Sequence, residues 1–167
     1  MVAAGERLHR FSPETHAEPR ILGSIFRINR DIRFSKDKRP YRDHLDFWFW
    51  DGERKTAASG FFVRISPTMV GIGAGSHGFD ASQRIAFRQS MANRAASKEL
   101  ADVASALEGS GYQLSSPVTA RASSLYVHVD EPASLAGVAA LVDRCAEHWY
   151  KLFPLHRWLV NHLQSAA

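Results

Sequence analysis

A single cysteine, Cys145, stands in 167 residues, so no internal disulfide can staple the chain. A reducing compartment, the cytoplasm, is the expected setting. No run of about 18 apolar residues occurs, which excludes a membrane-spanning helix and a membrane partner. The opening MVAAGERLHR lacks the apolar stretch of a secretory signal. Metal-ligand spacing is missing too. His9, His16, His44, His77, His128, His148, His156 and His162 show neither H-x-H nor H-E-x-x-H, and one thiol makes no thiolate cluster. No metal site and no cofactor are therefore expected, although His44 with Asp43 and Asp46, or His77 with Asp80, could meet in three dimensions. There is no internal repeat and no low-complexity tract.

What the chain does have is an aromatic core and a concentrated positive charge. It is 45% hydrophobic, with ten Phe, four Trp and four Tyr, enough for the core of one domain spanning residues 1–167. Between Pro19 and His44 lie eight cations (Arg20, Arg27, Arg30, Arg33, Lys36, Lys38, Arg39 and Arg42) against Asp31, Asp37 and Asp43. That stretch carries +5 while the whole chain carries +4, so the remainder is close to neutral. A localised basic segment points to an anionic partner more than diffuse charge does.

Residues 1–20 are polar and proline-punctuated and read as a loose lead-in. Over 21–78 the period is two, which predicts strands. Phe26, Ile28, Ile32 and Phe34 alternate with Arg27, Asn29, Asp31 and Arg33, and Arg30 falls on the apolar side. SKDKRP then makes a turn fixed by Pro40. Leu45, Phe47 and Phe49 alternate with Asp46, Trp48 and Trp50, and Asp51-Gly52 marks a reversal. GFFVRIS places Phe61, Val63 and Ile65 on one side, and MVGIGAG follows as a glycine-weakened strand. Short turns between successive strands imply antiparallel pairing.

From residue 79 onward the period is mainly helical. Asp80 with Gln83 predicts a capped helix to about Asn93. Leu100, Val103, Ala104 and Leu107 form the stripe of a second helix, which Gly109-Ser110-Gly111 stops. A short strand is expected at LYVHV. After Pro132, Leu135, Val138, Leu141, Val142, Cys145 and Trp149 predict an amphipathic helix that Pro154 kinks or restarts. The fold class is α+β: an antiparallel sheet of four to five strands in the N-terminal half, packed by helices from the C-terminal half.

The segment FRINRDIRFSKDKRPYRDHL resembles the signature of a bacterial and fungal family of conserved hypothetical proteins, the domain of unknown function 2461 family. Its pattern, R-x-x-R-D-x-R-F-S-x-D-K-x-P-Y, is met at Arg27, Arg30, Asp31, Arg33, Phe34, Ser35, Asp37, Lys38, Pro40 and Tyr41. The resemblance runs on through SGFFVRISP and the glycine-rich strand to LFPLHRWL, and so covers the chain from about Arg20. Two departures stand out. Members usually begin with a longer helical region, which implies a minimal member or a trimmed start. The stretch before the last helix is also shorter and lacks a Pro-Arg-Gly-Phe-like element. The resemblance implies a fold and a distinctive segment, not a reaction.

Three functional readings of that segment stay open. Arg27, Arg30, Arg33, Lys36, Lys38, Arg39 and Tyr41 can gather at an anionic small molecule, since guanidinium groups grip phosphate or carboxylate through paired N–H donors. With Tyr41, Trp48 and Trp50 stacking on bases, the same residues suit nucleic acid. An enzyme acting on a phosphorylated small molecule or nucleic acid would use Asp31, Asp37 or His44 as acid or base beside the arginines. In the structural alternative Arg30 is buried and paired with Asp31, Asp37 or a helix carboxylate.

Elsewhere the signals are weaker. GAGSHG, Gly73 to Gly78, matches G-x-G-x-x-G, but the predicted helix starts after it and Asp80 would repel phosphate, so the glycines are expected to admit a close neighbour instead. Ser76 and His77 adjoin, yet neighbours on a strand point to opposite faces. Cys145 lies on an apolar stripe, where an inert core thiol is expected. Trp48 and Trp50 need cover, and packing or self-association is expected there.

Overall fold

The computed structural model describes residues 1–30, 32–34, 36, 38–52 and 59–163. Strands β1 (Leu45–Trp50), β2 (Gly60–Ile65) and β3 (Met69–Ser76) run antiparallel, and β5 (Leu125–Pro132) and β4 (Gln113–Leu114) extend the sheet beyond β3. The order is β1-β2-β3-β5-β4. Helices are α1 (Val2–Leu8), α2 (Ala81–Ala92), α3 (Arg94–Gly109) and α4 (Ala140–Leu163). This is the expected α+β class, an antiparallel sheet with mainly C-terminal helices. β3 lies at its centre because β5 returns beside it.

Alternation decides which face is covered. Phe49, Phe61, Val63, Val70, Ile72 and Ala74 point to one side and are buried. Helix α4 lies on that side, and its Trp149 ring sits 4.9 Å from Phe49 and 6.0 Å from Phe61. Leu152, Leu155, Trp158 and Leu159 continue the same buried stripe. A buried Leu- or Phe-sized side chain contributes about 1.5–3 kcal/mol of transfer free energy, so this interface is the chief source of stability. Trp158 Nε1 donates to the Ala96 carbonyl at 3.1 Å, tying α4 to α3.

The local signals for α2 and α3 are realised. Asp80 Oδ1 accepts from Gln83 N at 2.8 Å, and the Asp80 N–H donates back to Gln83 Oε1 at 3.0 Å, a reciprocal capping box. Asn93 caps α3 through Ala95 N and Ala96 N. Leu100, Ala104 and Leu107 are buried along one stripe.

Four expectations need correction. Residues 1–20 are not all loose: α1 docks on α4, Leu8 is fully buried, and Arg7 pairs with Asp143 at 2.8 Å. Its small residues conceal the helical period, yet they permit close docking, since a Cβ on Gly5 would stand 2.7 Å from Ala17 Cβ.

Second, residues 25–34 form no regular strand among those described. Trp48 N donates to Ser24 O at 2.9 Å and Phe26 N to Asp46 O at 3.0 Å, so Ser24–Phe26 only adds a bridge to the edge of β1. Beyond it a narrow hairpin is held by Arg42 N to Ile28 O (2.8 Å) and Arg30 N to Pro40 O (2.9 Å). Its apolar residues Phe26, Ile28 and Phe34 stay outside the core, and Phe34 is 95% exposed. Arg30 is half-buried within the hairpin, not inside the core. Asp31 and Asp37 lie outside the described residues.

Third, Leu135 precedes the last helix in a 3₁₀ turn, Ala133–Gly137. Val138 also precedes α4, which starts at Ala140. Fourth, Pro154 does not restart the helix, because α4 continues through it to Leu163.

Candidate ligand site on the helix-free face

The second face of the sheet carries Asp46, Trp48 and Trp50 of β1, Phe62 and Arg64 of β2, and Tyr126 and His128 of β5. On β3, between them, this face presents Gly71, Gly73 and Gly75, by the register Trp48–Phe62–Gly73–His128 and its neighbours. With Gly71, Gly73 and Gly75 in a row beyond Met69, the central strand raises no side chain over most of this face, and the aromatic side chains of the flanking strands border a trough. The result is a cleft of about 640 Å³, lined among others by Phe26, Trp48, Phe62, Arg64, Tyr126 and His128. That volume lies within the range of about 300–1,000 Å³ usual for small-molecule sites.

The glycines have different causes. A Cβ on Gly73 would overlap Phe62 Cζ and the Val127 carbonyl oxygen, so Phe62 occupies the space that Gly73 vacates. This is the close approach expected of GAGSHG. A Cβ on Gly71 would meet nothing nearer than 3.5 Å, at Asp130 Oδ1 and Met69 Cε. Those are ordinary contact distances, and Arg64 Cβ stands at 3.8 Å, so a methyl fits above Gly71 without displacing its neighbours.

His77 follows β3 and stands at the rim. Its ring lies 4.3 Å from Tyr126, 4.9 Å from Phe62 and 5.8 Å from Trp48, centroid to centroid. Protein on these sides strips water from the imidazolium, and the Arg64 guanidinium repels it, so the His77 pKa lies below its ordinary 6.5. At neutral pH His77 is an uncharged ring among rings. His128 Nδ1 is buried and has no hydrogen-bond partner among the described residues. An unsatisfied buried nitrogen is costly, so its position beside a cleft is notable.

One edge of the cleft is polar. Arg64 grips Asp46 with two parallel bonds, Nε to Oδ1 at 2.7 Å and Nη2 to Oδ2 at 2.9 Å. The hydrogen bond to Asp46 raises the Arg64 pKa, while partial burial works against it. Arg42 Nη1 stands 3.9 Å from Asp46 Oδ2, and His44 Nε2 lies 3.4 Å from the same atom. His44 Nδ1 is 2.8 Å from Asp43, whose pKa is lowered by that hydrogen bond. Asp46 is thus the junction between the cleft and the basic segment.

The structure distributes the candidate residues unevenly. Arg27, Arg33, Lys36, Lys38, Arg39 and Tyr41 are all exposed on the excursion, whose base is Phe26 in the cleft wall. Lys38 Nζ donates to Ile32 O at 3.0 Å and closes the tip. The Arg33 guanidinium stands 6.0 Å from the Phe34 ring centre. His44 is brought to Asp43 and Asp46, whereas His77 meets aromatic rings and not Asp80, which serves as helix cap. No group of three or more potential metal ligands comes together among the described residues. Trp48 and Trp50 are both buried within the chain, with His16 stacked on Trp50 at 5.3 Å.

Two further networks resemble catalytic wiring. Ser59 Oγ, His156 and Asp51 are linked in series, at 3.0 and 2.9 Å. Ser59 is wholly buried, so no substrate reaches its hydroxyl, and the series acts as an internal lock. Tyr112, His148 and Glu131 form a second chain at 2.8 Å per link, with Arg144 Nε on Glu131 at 2.7 Å. It joins β5 to α4. Cys145 is buried and its thiol is pushed up to about 12 by desolvation, which makes it inert at neutral pH.

The family described as conserved hypothetical protein (DUF2461) matches residues 1–113. The chain belongs to this family. No curated protein and no solved structure matches it. The DUF2461 match spans the basic excursion, β1 to β3 and His77, so most of the cleft lies within it. Tyr126 and His128 lie beyond it. Sequence reasoning missed these two, and it also missed Phe62 and Gly71 as site residues. The signal was a shared period: Gly71, Gly73 and Gly75 alternate on β3 as Tyr126 and His128 do on β5, but which faces coincide follows only from the β3–β5 pairing. Among the described residues, no helix is long and apolar enough to cross a membrane.

Proposed function

We propose that this DUF2461 protein binds a small anionic molecule, bearing phosphate or carboxylate, at the junction of the basic excursion 27–42 and the helix-free face of the sheet. One observation carries the reading. The densest positive charge in the chain is continuous with its concave cleft, through Phe26 at one end and the Arg42–Asp46–Arg64 series at the other. Exposed guanidinium and ammonium groups beside a concave surface attract anions, and guanidinium adds a directional fork for two oxygens. Asp46 is already engaged by Arg64, so its charge is largely offset at the mouth. The protein is taken to act in the cytoplasm, where a lone buried thiol needs no partner.

The test is thermal unfolding against phosphates, nucleotides, small carboxylates and short single-stranded RNA and DNA, at low and moderate salt. A ligand present at about 100 times its Kd adds roughly 2.7 kcal/mol, a rise of several degrees. A selective rise with one small anion that persists in moderate salt supports the reading. Its loss in Arg27→Gln or Arg42→Gln assigns it to this segment. Rises with every polyanion that vanish in salt point to nucleic acid or general charge, since counterion release makes such binding steeply salt-dependent. No rise with any anion would refute the proposal.

A further inference from the structure

We infer that the aromatic-lined cleft over β3 is the ring-binding half of the anion site: it takes a flat aromatic ring that bears a phosphate or carboxylate, with the charged group directed to the basic excursion. The inference rests on the anion-binding reading and adds the chemical class of the ligand.

The shape of the cleft supports it first. Phe62 meets Tyr126 edge to face at 5.9 Å and His77 packs on both, so with Phe26, Trp48 and His128 they make one continuous aromatic lining. An aromatic lining favours a planar guest, which stacks a face on it at little entropic cost, over a flexible aliphatic one. Packing does not fill this space. Phe62 closes the floor over Gly73, but a side chain at Gly71 would meet only ordinary contact distances, so neither crowding nor a left-handed backbone requires glycine there. A glycine inside a strand costs stability relative to residues with side chains, and here Gly71 keeps the cleft floor free of a side chain.

Charge complementarity then selects the substituent. The polar edge at Asp46 and Arg64 leads to Arg42, whose Nη1 stands 3.9 Å from Asp46 Oδ2. A ring seated above Gly71 presents an attached anion toward that edge. A neutral ring gains only the stacking, and a bare anion only the charge.

Isothermal titration of the full chain with phenyl phosphate, inorganic phosphate, benzyl alcohol and a short single-stranded oligonucleotide separates these contributions. Phenyl phosphate is expected to bind at least roughly tenfold more tightly than inorganic phosphate, the scale of one ring stacked on aromatic walls. Gly71→Leu, which adds bulk to the floor, should abolish that advantage. Phe26→Ala should reduce the same advantage. Phe26 is 39% exposed and outside the core, so this second variant keeps the test valid if Gly71→Leu misfolds.

Equal binding of phenyl phosphate and inorganic phosphate overturns the ring inference and leaves the anion reading intact. Benzyl alcohol binding as tightly as phenyl phosphate, with no effect of Arg42→Gln, overturns the anion reading and keeps the ring site. Binding of the oligonucleotide alone, or of nothing, overturns both.

Discussion

His156 Nε2 lies 2.9 Å from Asp51 Oδ2, a contact that spans 105 residues of chain and joins the end of β1 to the middle of α4. Thr15 Oγ1 donates to the other carboxylate oxygen at 2.5 Å, and Ser12 Oγ lies 2.7 Å from Thr15 Oγ1. The N-terminal segment, the first strand and the last helix therefore meet at one carboxylate. Burial is the largest single influence and opposes its ionisation. The His156 and Thr15 hydrogen bonds, together with electrostatic attraction from His156 and His16, outweigh it, and the Asp51 pKa lies below its ordinary 3.8.

Removing this junction should be costly. Asp51→Ala is expected to lose roughly 2–4 kcal/mol, because His156 and Thr15 would keep buried polar atoms without an acceptor. Since the folded pKa is depressed, the stabilisation is complete above the unfolded value and disappears as pH falls through the folded one. Urea unfolding across the acid range checks this. Asp51→Asn should be less stable at neutral pH and should lose less on acidification. Parallel losses in both proteins would rule the carboxylate out as the acid-sensitive group.

Gly71 and Gly73 offer a matched pair. Gly73→Ala drives a methyl into Phe62 and the Val127 carbonyl and should cost about 3 kcal/mol, at the upper end for overpacking. Gly71→Ala adds a methyl at normal contact distances and should be neutral or slightly stabilising, since alanine restricts the unfolded chain. Denaturant midpoints of the two variants decide. Equal losses would mean that Gly71 is as tightly packed as Gly73.

These comparisons also show where sequence reasoning succeeds. Asp80 and Gln83 announce their helix because the capping box is complete within four residues. Phe61 and Val63 announce a buried face because an amphipathic α4 is there to cover it. Phe26, Ile28, Ile32 and Phe34 have the same period and give the wrong answer. Alternation says that side chains could share a face, not that anything covers it. The cleft was half legible. Its basic edge is a local cluster of charge, while Tyr126 and His128 reach it only because β5 pairs with β3, which no local pattern encodes.

Phe34 makes that distinction measurable. At 95% exposure its replacement should change stability by less than about 0.5 kcal/mol. Phe61→Ala, fully buried against Trp149, should lose about 3–5 kcal/mol. Chemical unfolding of Phe34→Ser and Phe61→Ala gives the comparison. A loss above about 2 kcal/mol for Phe34→Ser would restore the buried strand read from alternation.

His77 reports on the cleft directly. Desolvation by its aromatic neighbours comes first and repulsion by Arg64 second in lowering its pKa, while Asp46 acts in the opposite sense. An NMR titration of the imidazole should therefore show a midpoint below 6.5. Arg64→Met removes the repelling cation and releases Asp46 from its ion pair, so both changes should move the midpoint upward. Because the folded pKa is depressed, the contribution of His77 to stability is complete above 6.5 and is lost as pH falls through the folded value. Arg64→Met should flatten that decline. An anion bound at the cleft edge should also raise the midpoint, by favouring the imidazolium. A wild-type midpoint at or above 6.5 would mean that the imidazolium is well solvated and that the aromatic walls do not enclose the rim.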